Sequence, residues 1–347
     1  KPLDVLFGGI VCKGFSLAGE KSPNDERNFF YRKQIELVKD LNPKISIIEN
    51  VPGMKSAKVL SVDTPDYLKD EINWLWKELN NLKGIKAANR KNNANNDKLD
   101  KKSNLLRLRK EKIISSLNES GLLITVLEDI KKRYESIGYK VYHQVLNSAW
   151  YGAGTKRNRI IIVAVRKDLM GEYSFPKPTH YTNGIGNLPK EWVKITNGLP
   201  NCKTVGQCLE EVDYSKKEDI DNKPMNHNSK TVSRFKYIPE GDSIANHIDN
   251  LPEELKISKF YSRGNTMRLS RNSPSPTLVP GHSNFPVHPT EHRSITVREA
   301  AAISGFPLDY KFFGNHCKRC EHVGNAVPPD LAYAIAKSCI NFLDNNK

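Results

Sequence analysis

A cysteine, a glutamate and two arginines lie where a folded chain can use them for chemistry. Cys12 is flanked by glycines in GGIVCKGFS, directly after an apolar run, and Glu49 ends a second apolar run, KISIIENV. If both runs are adjacent parallel strands, their carboxyl ends bring a thiol and a carboxylate to one rim of the sheet, where such sheets bind ligands. A nucleophile beside an acid is what covalent catalysis requires. Taken singly, Cys12 also fits a small buried side chain and Glu49 a solvated loop position.

Arg157 and Arg159 form a second candidate group, in TKRNRIII. Alternation along the strand that follows predicts both side chains on one face, where two guanidinium groups suit a phosphate or a carbonyl oxygen. A pair of surface arginines fits these two residues equally well.

The elements that must position these residues predict an α/β fold with a doubly wound, Rossmann-like sheet. The segment RNFFYRKQIELVKDLNP has apolar residues at helical spacing and stops at Pro43, so strand, helix and strand form a parallel βαβ unit. A helix in ITVLEDIKKRYESIG and strands in YKVYHQVLN and RIIIVAVRKDL continue the sheet. Residues 66–118 predict a helical hairpin with an Asn-rich tip, whose Lys and Arg residues form either a solvated face or a DNA contact.

The length of 347 residues predicts more than one domain, because single cores stop growing near ~250–300 residues. We expect a larger domain in residues 1–168, with the helical insertion at about 60–120. Residues 169–309, rich in Pro, Asn and Ser without strong periodicity, predict a smaller irregular domain of short strands and loops. Residues 310–347 are expected to return to the larger domain through a helix that opens with PPD.

The net charge of +15 favours a polyanionic partner such as nucleic acid, although AT-rich codon usage also enriches Lys and Asn.

No stretch approaches the ~18 apolar residues of a membrane span, and no signal peptide opens the chain, so we expect a cytoplasmic protein. Six scattered cysteines predict reduced thiols. The run HCKRCEH offers Cys317 and Cys320, with Cys202 and Cys208 as a second pair for zinc, but we expect no metal site.

Six blocks, GGIVCKGFSLAGE with RNFF, ENVPG, YGAGTKRNR, ITVREAAAISGFP and VGNAVPPDLA, together resemble in type and order the DNA (cytosine-5) methyltransferase family. The resemblance implies methyl transfer from S-adenosylmethionine to C5 of a cytosine flipped out of duplex DNA. In that mechanism Cys12 resembles the thiolate that attacks C6. Glu49 resembles the acid at N3, Arg159 the group that holds O2, and Arg157 its neighbour.

The resemblance also implies residues for the cofactor and for DNA. Phe29, Asn325 and Ala326 are similar to cofactor-side positions. Lys13, Ser16 and Thr277 are similar to DNA-contacting positions, Thr277 in the smaller domain, which the resemblance identifies as a target-recognition domain. Arg298 and Glu299 resemble the block that organises that domain.

The sequence departs from the family pattern at several points. Val11 and Lys13 stand where a Pro-Cys-Gln triplet is usual, and Lys13 adds a cation that can lower the pKa of Cys12 or bind a phosphate. The family's glycine-rich cofactor block is expected before Lys1, so the chain is predicted to be a fragment or one subunit of a split enzyme. A catalytically silent DNA-binding relative and an RNA cytosine-5 methyltransferase are the alternatives.

Overall fold

The computed structural model describes residues 3–10, 22–181, 184–258, 264–281 and 285–346. Cys12, Lys13 and Ser16 lie outside these residues. The chain divides into two compact units, the first comprising residues 1–145, 159–173 and 346, and the second residues 146–158, 174–345 and 347. Residues 310–345 thus group with the second unit, while the assignment of catalytic and recognition roles to the predicted domains stays a prediction.

The described strands, in chain order, are β1 (Val5–Gly9), β2 (Ile45–Asn50), β3 (Lys58–Leu60), β4 (Leu123–Thr125), β5 (Tyr139–Asn147), β6 (Thr155–Lys156), β7 (Asn158–Arg166) and β8 (Ser275–Pro276). The described α-helices are α1 (Phe30–Leu41), α2 (Asp66–Lys91), α3 (Asp97–Glu119), α4 (Val126–Ser136), α5 (Val205–Glu210), α6 (Ser229–Phe235), α7 (Val297–Ile303), α8 (His316–Asn325) and α9 (Pro329–Asp344).

The first unit is built on a four-stranded sheet of order β1-β2-β7-β5. Strands β1 and β2 are parallel, with Val5 opposite Ile45 and Gly9 opposite Glu49, and α1 connects them. Strand β7 runs antiparallel to β2. The βαβ unit and the α/β fold class predicted from the sequence are therefore confirmed.

Helices α1 and α4 cover one face of this sheet. Tyr31, Ile35 and Val38 of α1 pack with Ile130 and Tyr134 of α4, among other residues, in one buried cluster. Helix α1 ends where Asn42 turns into the left-handed region at φ 44°, with Pro43 directly after it. Because Pro43 has no N–H to donate, the chain leaves the helix there and enters β2.

The predicted helical hairpin is present as α2 and α3, which bury an apolar core of their own. Ile72, Leu75 and Leu82 of α2 meet Leu106 and Leu117 of α3. The antiparallel pair of β3 and β4 lies at the base of the hairpin, with Val59 opposite Ile124. Four asparagines lie in the turn between the helices, as the sequence indicated.

The second unit has little regular strand. Among the described residues its paired strands are β6 and β8, of two residues each, which run parallel, with isolated bridges elsewhere. The sequence predicted short strands and loops; the loops are present, and short helices stand where most of the strands were expected. Frequent prolines explain this, because each removes a backbone donor and fixes φ, so that long ladders cannot form.

A buried ionic network ties the second unit together around α7. Glu299 is fully buried and accepts two hydrogen bonds from the guanidinium of Arg293, at 2.7 and 2.8 Å. Arg298 donates to Asp219 at 2.9 Å and to Asp221 at 3.3 Å. The role of organising a target-recognition domain, which the resemblance implied for Arg298 and Glu299, stays a prediction.

The run HCKRCEH, for which the sequence analysis predicted no helix, is part of helix α8. Asn315 caps the helix, its side chain accepting from the Lys318 N–H at 2.9 Å. The sequence analysis did not predict this helix because the segment lacks strong apolar periodicity and the start of the helix is set by a single capping residue. Helix α9 begins at Pro329, as PPD predicted. Within the described residues there is no helix long and apolar enough to cross a membrane.

Candidate functional site

Glu49 lies near the carboxyl end of β2, opposite Gly9 of β1. Alternation places it on the sheet face opposite the one that carries Ile48, which packs against α1 and α4. Gly9 is three residues before Cys12 in the sequence. The prediction that β1 and β2 are adjacent parallel strands is confirmed, and the position of the Cys12 thiol lies outside the described residues.

Glu49 forms an ion pair with Arg159 of the neighbouring strand β7. Arg159 Nε lies 2.6 Å from Glu49 Oε1, and each residue is only 8% exposed. Glu49 pairs directly with Ile161 in the ladder, so Arg159 is its diagonal neighbour on the same face. A guanidinium carries five N–H donors, so contact with one carboxylate leaves it able to donate to a carbonyl oxygen as well. The pair thus holds an acid group and a carbonyl-binding cation side by side.

Asn50, which the sequence interpretation did not assign, fixes the end of β2. Its Nδ2 donates to the carbonyl oxygen of Ile10 at 3.0 Å, and its Oδ1 accepts from the Val51 N–H at 2.8 Å. It is 2% exposed. The Asn50 amide therefore joins the ends of β1 and β2. Its partner Ile10 lies two residues before Cys12 in the chain. A polar residue between Glu49 and the Pro-Gly turn of ENVPG was the signal available in the sequence.

Arg157 lies between β6 and β7 and has other partners than Arg159. Its guanidinium donates to the main-chain carbonyl oxygens of Leu278, at 3.0 Å, and of Gly324, at 2.7 Å. It is 4% exposed. These contacts lie within the second unit and connect Arg157 to the segment that follows β8 and to the last turn of α8. The sequence predicted that Arg157 and Arg159 share one face because side chains alternate along a strand. Arg157 precedes β7, so this alternation does not apply to it.

Phe29 lies directly before α1 in the first unit. Its ring is half-buried, and the guanidinium carbon of Arg32 lies 4.1 Å from the ring centroid. The neighbouring Asn28 is 3% exposed and donates through Nδ2 to the carbonyl oxygen of Ser22 at 2.8 Å. Its Oδ1 is buried without a hydrogen-bond partner among the described residues. An apolar ring beside an unsatisfied acceptor is a surface on which an aromatic ligand with an amino group can rest.

Asn325 and Ala326 end α8 in the second unit. Asn325 is exposed, and the N–H of Ala326 bonds back to the carbonyl oxygen of His322 at 3.1 Å. Gly324, before them, abuts the backbone of Pro280 so closely that a Cβ would overlap it. The turn after α8 is therefore fixed by packing, with the Asn325 amide presented to solvent.

Thr277 is exposed on the segment that follows β8. Its hydroxyl donates to the main-chain carbonyl oxygen of Lys156 at 3.1 Å. This bond continues the pairing of β6 with β8 by one residue. The hydroxyl oxygen remains an acceptor and the side chain is at the surface, so its placement is compatible with a contact to a polar ligand.

The cysteines considered for zinc are not arranged as a metal centre. Among the residues that the structure describes, no cluster of three or more His, Cys, Asp or Glu side chains is placed to hold a metal ion. Burial raises the pKa of Cys208 and of Cys320, each to about 12, so both thiols are protonated at neutral pH.

Comparison with known proteins identifies the family. The model of the C-5 cytosine-specific DNA methylase family matches residues 1–68 and 110–341, which is most of the chain. The unmatched segment is most of the α2–α3 hairpin. A prophage-encoded DNA modification methyltransferase structure from E. coli shares the fold, with a TM-score of 0.53 and 20% identity over 99% of this chain and 80% of that one.

Two curated relatives are similar over nearly the whole sequence. The Type II methyltransferase M1.HphI of Haemophilus parahaemolyticus is 25% identical, covering 99% of this chain and 70% of that protein. M.NgoFVII of Neisseria gonorrhoeae is also 25% identical, covering 99% and 71%. These comparisons give no support to a second subunit. With a family match through the βαβ unit, the Glu49–Arg159 pair and the α8–α9 segment, the chain belongs to the C-5 cytosine-specific DNA methylase family, and its enzyme class is DNA cytosine-5 methyltransferase.

Proposed function

We propose that this protein methylates C5 of a cytosine in duplex DNA through a covalent adduct with Cys12, using S-adenosylmethionine as the methyl donor. The observation that carries the proposal is the buried Glu49–Arg159 pair at the carboxyl end of β2. An acid group beside a carbonyl-binding cation matches the N3 and O2 atoms of cytosine, which are adjacent on one edge of the ring.

The chemistry assigned to these side chains begins at C6. Cytosine C5 is a poor nucleophile, so the Cys12 thiolate first adds to C6 while Glu49, which must be protonated for this step, gives a proton to N3. Arg159 holds O2 and keeps Glu49 in place. The resulting enamine carries electron density to C5, which takes the methyl group. A base then removes the C5 proton, the electron pair restores the C5–C6 double bond, the thiolate leaves C6, and N3 returns its proton to Glu49.

The donor is S-adenosylmethionine, whose sulfonium makes the methyl group electrophilic. Phe29, Asn325 and Ala326 are the residues we assign to holding it. The half-buried ring of Phe29 and the unsatisfied Oδ1 of Asn28 are compatible with a purine that carries an amino group, and the exposed Asn325 amide is compatible with a polar part of the donor.

DNA contacts are assigned to Lys13, Ser16 and Thr277. The net charge of +15 supports a polyanionic substrate, because a basic surface concentrates phosphates. Flipping a base out of the stack costs a few kcal/mol, which contacts to the displaced strand must offset. Since its relatives are Type II methyltransferases, we assign the protein to a restriction-modification system in the prokaryotic cytoplasm.

The test is transfer of labelled methyl groups from S-adenosylmethionine to unmethylated bacterial DNA of mixed sequence. Wild-type protein and the Cys317→Ser control should label cytosine C5, and Cys12→Ser should not. With 5-fluorocytosine in the DNA, the methylated adduct should persist, because fluorine cannot leave C5 as a cation, and it should map to Cys12. Methyl transfer by Cys12→Ser would overturn the mechanism.

The same assay separates the alternatives. A catalytically silent relative would bind duplex DNA but label nothing. An RNA methyltransferase would label transfer RNA in preference to DNA when the two compete. Labelling of DNA that transfer RNA does not suppress is the outcome that we expect.

A further inference from the structure

The charge of the α2–α3 hairpin is concentrated at its tip. Residues 83–102, which comprise the end of α2, the turn and the start of α3, contain seven Lys and Arg residues and two Asp residues, a net charge of +5. The remainder, residues 66–82 and 103–119, contains six basic and six acidic residues and is neutral. A helical hairpin that is only solvated has no reason to place its whole excess charge at one end.

Most of the tip cations are exposed and lack an acidic partner. Lys86 pairs with Asp100 at 2.9 Å, and Lys102 pairs with Glu78. The other five are exposed, and within the described hairpin none of them forms an ion pair; they are Lys83, Arg90, Lys91, Lys98 and Lys101. Their charges are therefore available to an anion from outside the hairpin.

The tip is held on a stiff support. Helix α2 has 26 residues, about 39 Å of helix, and the core between the two helices reaches Leu82 on α2 and Leu99 on α3. Across the turn, Asn89 Nδ2 donates to Asn96 Oδ1 at 3.0 Å. A ligand that binds such a tip does not have to order it first, so less of its binding energy is lost.

The composition of the tip favours nucleic acid over protein. Among large apolar residues of the tip only Ile85 is exposed, at 40%, whereas Trp74, Leu105 and Leu108 are exposed on the neutral part. Protein interfaces are depleted of Lys at their centre and enriched in aromatic residues, which the tip lacks. Asn92 and Asn93 are exposed in the turn and carry amide donors that suit phosphate oxygens.

We propose that the tip of this hairpin, residues 83–102, binds the phosphate backbone of duplex DNA without reading its sequence. This rests on the proposed function, since it takes duplex DNA as the substrate. The hairpin tip lies outside the segments matched by the family model. The tip thus adds a charge-based contact, which raises DNA affinity at low salt, to the catalytic and recognition parts.

The test compares two triple variants that remove the same charge. Arg90→Gln, Lys98→Gln and Lys101→Gln neutralise the tip, and Lys77→Gln, Arg107→Gln and Lys112→Gln neutralise exposed cations of the neutral part. Affinity for a non-target duplex is measured from 50 to 300 mM salt. Each lost phosphate contact lowers the slope of log K against log salt by about 0.9, so the tip variant should lose about 2 to 3 in slope and the control less than 1.

The proposal would be overturned if the two variants had equal slopes of log K against log salt. It would also be overturned if the tip variant bound DNA as tightly as the wild-type protein. Circular dichroism melting of both variants should match wild type, because all six side chains are exposed. Methyl transfer is measured on the same preparations. If wild-type protein methylates DNA but the tip variant binds normally, only the tip proposal fails, whereas a wild-type protein that neither binds nor methylates DNA removes the proposed function too.

Discussion

Arg159 and Glu49, far apart in the sequence, meet across two antiparallel strands with Nε 2.6 Å from Oε1. Neither side chain is more than 11% exposed. Breaking a buried ion pair lowers the free energy of unfolding more than breaking a surface ion pair does, because the remaining charge is buried without a partner. We therefore expect substitution of either residue to lower both the stability of the fold and the rate of methyl transfer.

Glu49→Gln should weaken both stability and turnover. The amide leaves the Arg159 charge unbalanced, so the free energy of unfolding should fall by about 3 kcal/mol. Loss of the acid at N3 should lower the rate of methyl transfer by about 100-fold or more. Urea unfolding and single-turnover methyl transfer measure the two effects. Glu172→Gln, which breaks an exposed pair with Lys140, should change neither; normal turnover in Glu49→Gln would remove Glu49 from the mechanism.

Arg157→Lys should destabilise the protein. An ammonium cannot reproduce the two guanidinium bonds to the carbonyl oxygens of Leu278 and Gly324, and a buried acceptor left unpaired costs about 1–3 kcal/mol. We expect thermal melting at a lower temperature than in Arg27→Lys, whose partner Asp25 is local. Full stability with collapsed turnover would instead give Arg157 a direct role in catalysis.

Gly8→Ala should disturb β1. A Cβ at Gly8 would overlap the carboxamide of Gln34, whose Nε2 donates to the Ile47 carbonyl oxygen at 2.9 Å. We expect a stability loss of about 1–3 kcal/mol from this overpacking, measured by urea unfolding. Gly84→Ala is the matched control, since a Cβ there meets nothing within 4 Å and alanine favours a helix by up to ~1 kcal/mol. Equal stabilities for the two variants would contradict the close packing at Gly8.

Stability should depend on pH through Glu299. Burial opposes its ionisation, but the hydrogen bonds and charge of Arg293 outweigh burial and hold the pKa of Glu299 below its ordinary value of 4.5. A carboxyl with a lowered pKa stabilises the folded state above about pH 4.5, and this contribution is lost as the pH falls through the folded pKa. Glu299→Gln should therefore be less stable than wild type at pH 7, by about 3 kcal/mol, with the gap narrowing below pH 4.5. Urea unfolding at several pH values measures the gap; one that is constant with pH would exclude this linkage.

Much of the first unit was predictable because its elements are locally encoded. Apolar runs of period 2 or 3.6 and a proline at a helix end predicted β1, α1, β2 and the α2–α3 hairpin. The order of short motifs gave the family. Helix α8 was missed because its start depends on one cap, and the short strands expected in the second unit are few because prolines prevent long ladders.

By itself the sequence determined the residue types, the fold class and the family, since these follow from local pattern and motif order. Only the tertiary structure decided which charges meet. Glu49 pairs with Arg159 because β2 and β7 are neighbours in one register. Arg157 is only two residues before Arg159 in the sequence, but its guanidinium donates to the main-chain carbonyl oxygens of Leu278 and Gly324. Asn50 links β1 to β2, and the positive charge of the hairpin is unpaired at one end. Such contacts depend on long-range strand order and burial, which are cooperative properties of the folded chain.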